Sequence, residues 1–106
     1  MGWRVRWTTP AWNDVEEAAR FVARDSPRYA VVLQREAQSA AQSLRQFAYR
    51  GRVVPERDNE RLRELIVGSH RLIYTLVADD EVHVIAFVNG ARDLDVFLKR
   101  EHRGPG

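Results

Sequence analysis

The stretch from Leu62 to Val88 constrains the fold of this chain more than any other part of the sequence. It contains three runs of apolar, β-branched and aromatic residues. Gly68-Ser69 separates the first run from the second, and the short Ala-Asp-Asp-Glu segment at 78–81 separates the second from the third. Apolar runs joined by such short turns are typical of antiparallel β-hairpins in sequence order. The predicted strands are Leu62–Val67, His70–Val77 and Val82–Val88.

Upstream of these strands, the sequence predicts one further strand and two helices. Residues Trp3–Trp7 alternate between apolar side chains and arginines, which is the period of a strand with one buried face. Thr9 and Pro10 then suit the N-cap and the first position of a helix, and Ser26 and Pro27 repeat the same pattern. Apolar residues follow each start at three- and four-residue spacing. The predicted helices are Pro10–Arg24 and Pro27–Phe47.

The connection between the two helices is short, which predicts an antiparallel αα-hairpin. A sheet needs cover on its apolar face, so we expect the hairpin to pack on one face of it. The segment 51–56 reads as a loop because of its glycine and proline, and Asp93–Arg100 has the spacing of a short last helix. The predicted class is therefore α+β, in the order β-α-α-β-β-β, with a four-stranded, mainly antiparallel sheet and a short C-terminal helix. The residues expected to be mostly buried are Trp7, Val15, Leu33, Leu44, Leu72, Tyr74, Val84 and Ala86.

The length of 106 residues predicts a single domain, 1–106, with a Gly-Pro-Gly tail at 101–106 that we expect to be flexible. The sequence has no cysteine, which excludes a disulfide framework and a thiolate zinc site. No apolar run is long enough for a membrane span, and the N-terminus lacks the apolar core of a signal peptide. We therefore expect a cytoplasmic protein with no membrane partner.

The basic residues are almost all arginines, since Lys99 is the one lysine among 17 Lys and Arg residues. A GC-rich genome that prefers arginine codons accounts for such a bias. Contact with carboxylates or phosphates is the alternative explanation, because the planar guanidinium suits both groups, but codon preference is the favoured one. The net charge of +2 does not by itself indicate a nucleic-acid-binding protein.

Candidate chemistry is limited to one histidine and a set of arginines. The sequence has no glycine-rich phosphate loop, no nucleophile elbow and no recognisable metal-ligand spacing, so we expect neither a cofactor nor a metal. His70 is the best placed histidine, at the start of a predicted strand. The arginines could converge on one rim and bind phosphate or a developing negative charge, or they could pair with Glu56, Glu60 and Glu64, which the spacing favours. The candidate phosphate- or target-binding residues are Arg52, Arg63, Arg71 and Arg92.

Five short segments and the order of the elements carry a resemblance to a known family. The segments are Ala11–Val15, Gly51–Glu56, Arg63–Leu65, His70–Tyr74 and Gly90–Arg92. In this order and at this spacing they resemble the ParE/RelE superfamily, the toxins of type II toxin–antitoxin pairs. The resemblance covers the chain from about Trp3 to Arg92.

The resemblance implies a small bacterial toxin that a co-transcribed antitoxin wraps and neutralises, in a toxin–antitoxin hetero-oligomer. The superfamily has two branches with different targets. RelE-like members cut mRNA in the ribosomal A site, whereas ParE-like members are not nucleases and inhibit DNA gyrase.

The sequence departs from the nuclease branch at several positions. Arg71 matches the arginine of the RelE strand motif Tyr-Arg-Leu-Val-Tyr, and Arg92 matches the arginine that follows the last strand. No lysine lies in the strand before Arg71, where Glu64 is found instead, and Phe97 stands where that branch often has a tyrosine. Metal-free RNA cleavage needs a general acid and a general base, for which His70 is the one candidate.

We therefore predict a ParE-like growth inhibitor that binds DNA gyrase and has no catalytic residues. The first alternative is a ribosome-dependent mRNA endoribonuclease that uses Arg71, Arg92 and His70. The second alternative is an orphan interaction domain without toxicity.

Overall fold

The computed structural model describes residues 2–100, so the tail predicted to be flexible at 101–106 lies outside the described residues. The element order agrees with the predicted α+β class and adds one short strand. Within residues 2–100, no helix is both long and apolar enough to cross a membrane. The elements are β1 Arg4–Trp7, α1 Thr9–Ala23, α2 Pro27–Ser43, β2 Arg52–Val53, β3 Leu62–Val67, β4 His70–Ala78, β5 Glu81–Asn89 and α3 Leu94–Arg100.

The sheet has five strands in the order β1-β5-β4-β3-β2. All neighbouring pairs are antiparallel except β1 and β5, which run parallel. The prediction of four strands was wrong because β2 lies in the segment 51–56, which reads as a loop. A strand of two residues has no periodic pattern, and β2 forms through its pairing with β3, in which Arg52 lies opposite Glu64.

Side-chain oxygens cap the first turn of both long helices. Ser26 caps α2 as predicted, and its hydroxyl accepts a hydrogen bond from the Tyr29 N–H at 3.1 Å. The N-cap of α1 is Thr8, one residue before the predicted Thr9. The Thr8 hydroxyl accepts from the Ala11 N–H at 3.2 Å and donates to a carbonyl of β5 at 3.1 Å. This second hydrogen bond joins residues that are distant in sequence, and it favours Thr8 over Thr9 as the N-cap.

Helix α2 ends at Ser43, so the predicted end at Phe47 was wrong. Phe47 was expected on the buried stripe but is 61% exposed. The helix ends early because the segment after it is hydrogen-bonded to the Tyr74 side chain of the sheet. The Tyr74 hydroxyl donates to the Ala48 carbonyl at 2.8 Å and accepts from the Gly51 N–H at 3.0 Å. A Cβ atom at Gly51 would lie 2.6 Å from this hydroxyl, so the contact requires glycine.

The sheet has a buried core on each of its faces. The αα-hairpin covers one face, where Leu33, Leu44, Leu72 and Tyr74 pack together. Helix α3 covers the other face, where its Leu94 and Leu98 pack on the sheet. Seven of the eight residues expected to be buried are buried, namely Val15, Leu33, Leu44, Leu72, Tyr74, Val84 and Ala86. Trp7 is partly buried and contacts Trp12 edge to face, with ring centroids 5.3 Å apart.

Replacing Tyr74 with phenylalanine should destabilise the fold by about 1–3 kcal/mol, because the Gly51 N–H and the Ala48 carbonyl each lose a buried partner. Urea denaturation would measure the change. Tyr29→Phe is the matched control, since Tyr29 is exposed, and should change the free energy of unfolding little. Equal stability of Tyr74→Phe and the control would contradict this role for the hydroxyl.

Candidate functional site

The alternation of β4 separates two candidate residues that are neighbours in sequence. Arg71 pairs with Ile66 of β3, and His70 pairs with Val67. Because successive residues of a strand point to opposite faces, Arg71 lies on the α3 side of the sheet and His70 lies on the αα-hairpin side. Any chemistry that requires both side chains at one point therefore has no basis in this arrangement.

Arg71 is held in a cluster of charged side chains. Its terminal nitrogens donate to both carboxylate oxygens of Glu56 at 2.7 Å, and its Nε donates to Glu64 at 2.6 Å. The second oxygen of Glu64 accepts from the Nε of Arg52 at 2.5 Å. Arg71 is 6% exposed and Glu64 is 1% exposed. The four residues form what we call the arginine–carboxylate cluster, which confirms the interpretation of Arg71 and Arg52 as carboxylate-paired.

The cluster keeps Glu56 and Arg71 charged. The pKa of Glu56 is lowered, chiefly by the hydrogen bond from Arg71. The pKa of Arg71 is raised, chiefly by its hydrogen bond to Glu56 and in addition by that to Glu64. A bidentate pair of this kind satisfies the planar guanidinium with carboxylates. The Arg71 donors that would otherwise hold a phosphate are thus already in use.

Arg63 lies on the other face of β3 from this cluster, so the less favoured alternative, in which Arg63, Arg71 and Arg92 converge on one rim, does not hold. The alternation of β3 places Arg63 on the αα-hairpin side. Its guanidinium donates to the carbonyls of residues 49, 51 and 60 and lies over the Tyr49 ring at 5.1 Å. Arg63 therefore fastens the segment after α2 to the sheet.

Arg92 and His70 line one groove, between α1 and the ends of β4 and β5. This groove, which we call the α1–β5 groove, has a volume of about 1190 Å³. The Arg92 guanidinium lies over the Phe97 ring at 4.8 Å. The His70 ring stacks on Phe87 at 4.8 Å, and burial lowers the pKa of His70, so its imidazole is neutral near pH 7. The structure thus places these two candidates together and separates them from Arg71.

Sequence reasoning missed the part that Asp14 plays in this groove. Its carboxylate accepts a hydrogen bond from the Phe87 N–H at 3.0 Å, across 73 residues of chain. No local pattern marks such a contact, because it arises where α1 crosses the edge of β5. Among the described residues, no group of three histidines, aspartates or glutamates is placed to hold a metal ion.

Comparisons with known proteins identify the family. The family model described as ParE toxin of type II toxin-antitoxin system, parDE, matches residues 5–94. A curated relative, Toxin RelE2 of Caulobacter vibrioides, is 32% identical over 89 residues, which are 84% of this chain and 97% of the relative.

A solved structure of similar fold is the chromosomal ParDE toxin–antitoxin system from P. aeruginosa. Its TM-score is 0.66 at 17% sequence identity, and the match covers 82% of this chain and 95% of that one. At this identity the likeness concerns the fold alone.

Replacing Glu64 with glutamine should destabilise the protein by roughly 3–5 kcal/mol, because the buried Arg71 loses one of its two carboxylate partners. Thermal or urea unfolding would measure the loss. Glu60→Gln is the matched control, since Glu60 is an exposed carboxylate that precedes the same strand. A loss below about 1 kcal/mol, as for a surface ion pair, would contradict the stabilising role of the cluster.

The lowered pKa of His70 predicts a loss of stability in acid. The unfolded chain takes up a proton near pH 6.5, whereas the folded chain resists it until lower pH. This contribution is therefore complete above pH 6.5 and is lost as the pH falls through the folded pKa of His70. Urea denaturation between about pH 7 and pH 5 should show that the free energy of unfolding declines less for His70→Gln than for the wild type. The same decline in both proteins would contradict the assignment.

Proposed function

The chain belongs to the ParE toxin family of type II toxin–antitoxin systems, and on that premise we propose that it inhibits bacterial growth by binding DNA gyrase. The observation that carries this proposal is the enclosure of Arg71 by Glu56 and Glu64. Arg71 matches the strand arginine that the nuclease branch uses, but its donors are engaged by carboxylates.

Electrostatics at this point oppose RNA binding. A scissile phosphate that approached Arg71 would have to displace the Glu56 carboxylate and would meet the negative charge of Glu64. Stabilisation of a developing charge requires donors that are free and already aimed at it. The cluster stabilises the sheet, and it leaves no Arg71 donor free to bind a substrate.

Proton transfer at this point is also poorly supported. Guanidinium groups stay protonated and are weak general bases. The lowered pKa of Glu56 makes its carboxylate a weaker base than an ordinary glutamate. His70 is the one neutral imidazole that sequence reasoning offered, and it lies on the opposite face of β4. A target-binding toxin requires none of these groups.

Membership of a type II family implies an antitoxin partner. We propose that the cognate antitoxin covers exposed apolar side chains of the αα-hairpin with an acidic or amphipathic segment, and that the complex assembles in the cytoplasm. Several large apolar side chains of the hairpin are more than a third exposed, namely Phe21, Tyr29, Val31 and Val32. Burial of such groups would supply much of the affinity.

A second candidate function is favoured by the α1–β5 groove. His70 is neutral and could act as a general base, and Arg92 lies in the same groove without an ion pair among the described residues. If the protein is a ribosome-dependent endoribonuclease, these two residues are its best supported site. Arg71 would then have a structural role.

The decisive measurement compares gyrase and ribosome assays on the same purified protein. We expect the wild type to inhibit supercoiling by gyrase and to leave mRNA in the ribosomal A site intact. His70→Gln and Arg92→Gln test the second candidate without disturbing the arginine–carboxylate cluster. Arg71→Ala is a poor test, because it removes the partner of Glu56 and one of the two partners of the buried Glu64 carboxylate.

Each alternative has its own outcome. Cleavage of A-site mRNA that both variants lose while they remain folded would contradict the gyrase proposal and establish the nuclease. Absence of both activities, together with normal growth of the host during expression without an antitoxin, would favour the orphan interaction domain.

A further inference from the structure

The outer edge of β5 is open beyond its short pairing with β1. Strand β1 pairs with the residues 81–84 of β5, after which the chain turns away into α1. The last residues of β5, up to Asn89, therefore pair with β4 on one side and have no strand on the other. This open edge borders the α1–β5 groove.

The register fixes which backbone groups point into the groove. The Gly90 N–H donates to the Ser69 carbonyl at 2.9 Å, so the pair of His70 and Asn89 is a non-hydrogen-bonded one. Phe87 lies two residues before Asn89 and has the same orientation. The backbone N–H and C=O groups of Phe87 and Asn89 therefore point away from β4.

Two of these four groups are already bonded and two are not. The Phe87 N–H donates to Asp14 at 3.0 Å, and the Asn89 carbonyl accepts from the Arg92 N–H at 3.0 Å. In the part of the chain that the structure describes, the Phe87 carbonyl and the Asn89 N–H have no hydrogen-bond partner. One acceptor and one donor thus remain on this edge.

The spacing of the two open groups matches a parallel strand. In a parallel ladder, one residue donates to the carbonyl of residue i and accepts from the N–H of residue i+2 of its neighbour. Phe87 and Asn89 stand in that relation, and β1 already runs parallel to β5. One residue of an incoming extended chain, lying opposite Val88, would satisfy both groups at once. The next backbone group along the edge, the Phe87 N–H, is already bonded to Asp14.

The side chains around the edge indicate what such a segment carries. Arg20, Arg24 and Arg92 line the groove, and none of them has an ion pair among the described residues. The groove is also lined by two carboxylates, those of Asp14 and Glu17, against these three cations. The Asp14 carboxylate accepts the hydrogen bond from the Phe87 N–H. A positive excess remains, which favours an acidic ligand.

Apolar surface is available on the α1 side of the same groove. Phe21 lines the groove and is 67% exposed, although the Arg24 guanidinium lies over its ring at 5.7 Å. Phe97, on the α3 side, carries the Arg92 guanidinium on its ring. In an added strand, the residue opposite Val88 would point toward the α3 side and its two neighbours toward α1.

We propose that the α1–β5 groove binds an extended segment of a partner protein, which adds one short parallel strand to β5. The segment has an acidic residue opposite Val88, directed toward Arg92, and apolar residues on both sides of it, directed toward Phe21. Strand addition of this kind obtains affinity from main-chain bonds and specificity from alternate side chains. The proposal does not depend on gyrase as the target, so the two can fail separately.

The test is a titration of ¹⁵N-labelled protein with a terminally blocked nonapeptide that has Val-Glu-Leu at its centre. The Asn89 amide signal should shift, and its hydrogen exchange should slow, because this N–H gains an acceptor. We expect a dissociation constant of about 1 mM or below for so short a segment, and roughly tenfold weaker binding when lysine replaces the central glutamate.

Matched variants separate this groove from the rest of the surface. Arg92→Glu and Phe21→Ala should each weaken binding roughly tenfold. Arg45→Glu and Phe47→Ala are the controls, because they change an exposed arginine and a 61% exposed phenylalanine outside the groove. Both controls should bind the peptide like the wild type.

Three outcomes would overturn the proposal. The first is an unchanged Asn89 amide at peptide concentrations of about 5 mM, several times the expected dissociation constant. The second is a shift of the same amides with a single-stranded oligoribonucleotide but not with the peptide, which would make the groove a nucleic-acid site. The third is a concentration-dependent shift without any ligand, which would make a second copy of the chain the occupant.

Discussion

The sheet, and the packing of α3 on it, depend on the pairing of the buried Glu64 carboxylate with two arginines. The carboxylate lies between the guanidinium groups of Arg71 and Arg52 and so joins β2, β3 and β4 through one charged centre. Removing a carboxylate from water is unfavourable, and the pairing must compensate for that cost through close contacts. Here both oxygens of Glu64 are bonded, and Arg71 is also bound by Glu56. The arrangement satisfies the condition under which a buried charge is tolerated.

The cluster also positions structure beyond the sheet. Glu56 belongs to the segment after β2, and the next residue, Arg57, donates to Asp95 of α3 at 2.5 Å. The chain between β2 and β3 is thus attached, through two adjacent residues, to the central strands and to the last helix. Leu94 and Leu98 of that helix complete the second core. Charge pairing and apolar burial therefore support each other on this face.

The features that sequence predicted are those with local causes. Alternation and short turns located the meander, and Ser26 with Pro27 located the start of α2. The features it missed come from contacts between distant residues. The early end of α2 follows from the Tyr74 hydroxyl, and β2 follows from its pairing with β3. At the site, spacing suggested carboxylate pairing for Arg71, but it could not show that His70 and Arg92 share a groove, because that depends on where α1 crosses β5.

The parallel pairing of β1 with β5 has a consequence for how the chain matures during synthesis. Arg4 is paired with Glu81, so the first strand made is completed by the last strand made. The cap of α1 depends on the same late strand, since the Thr8 hydroxyl donates to Val84. Contacts this distant in sequence form slowly and only after the later segment exists. A ribosome that has not yet translated β5 therefore carries an incomplete fold, and the cell meets the folded domain only once the residues Glu81–Asn89 have been made.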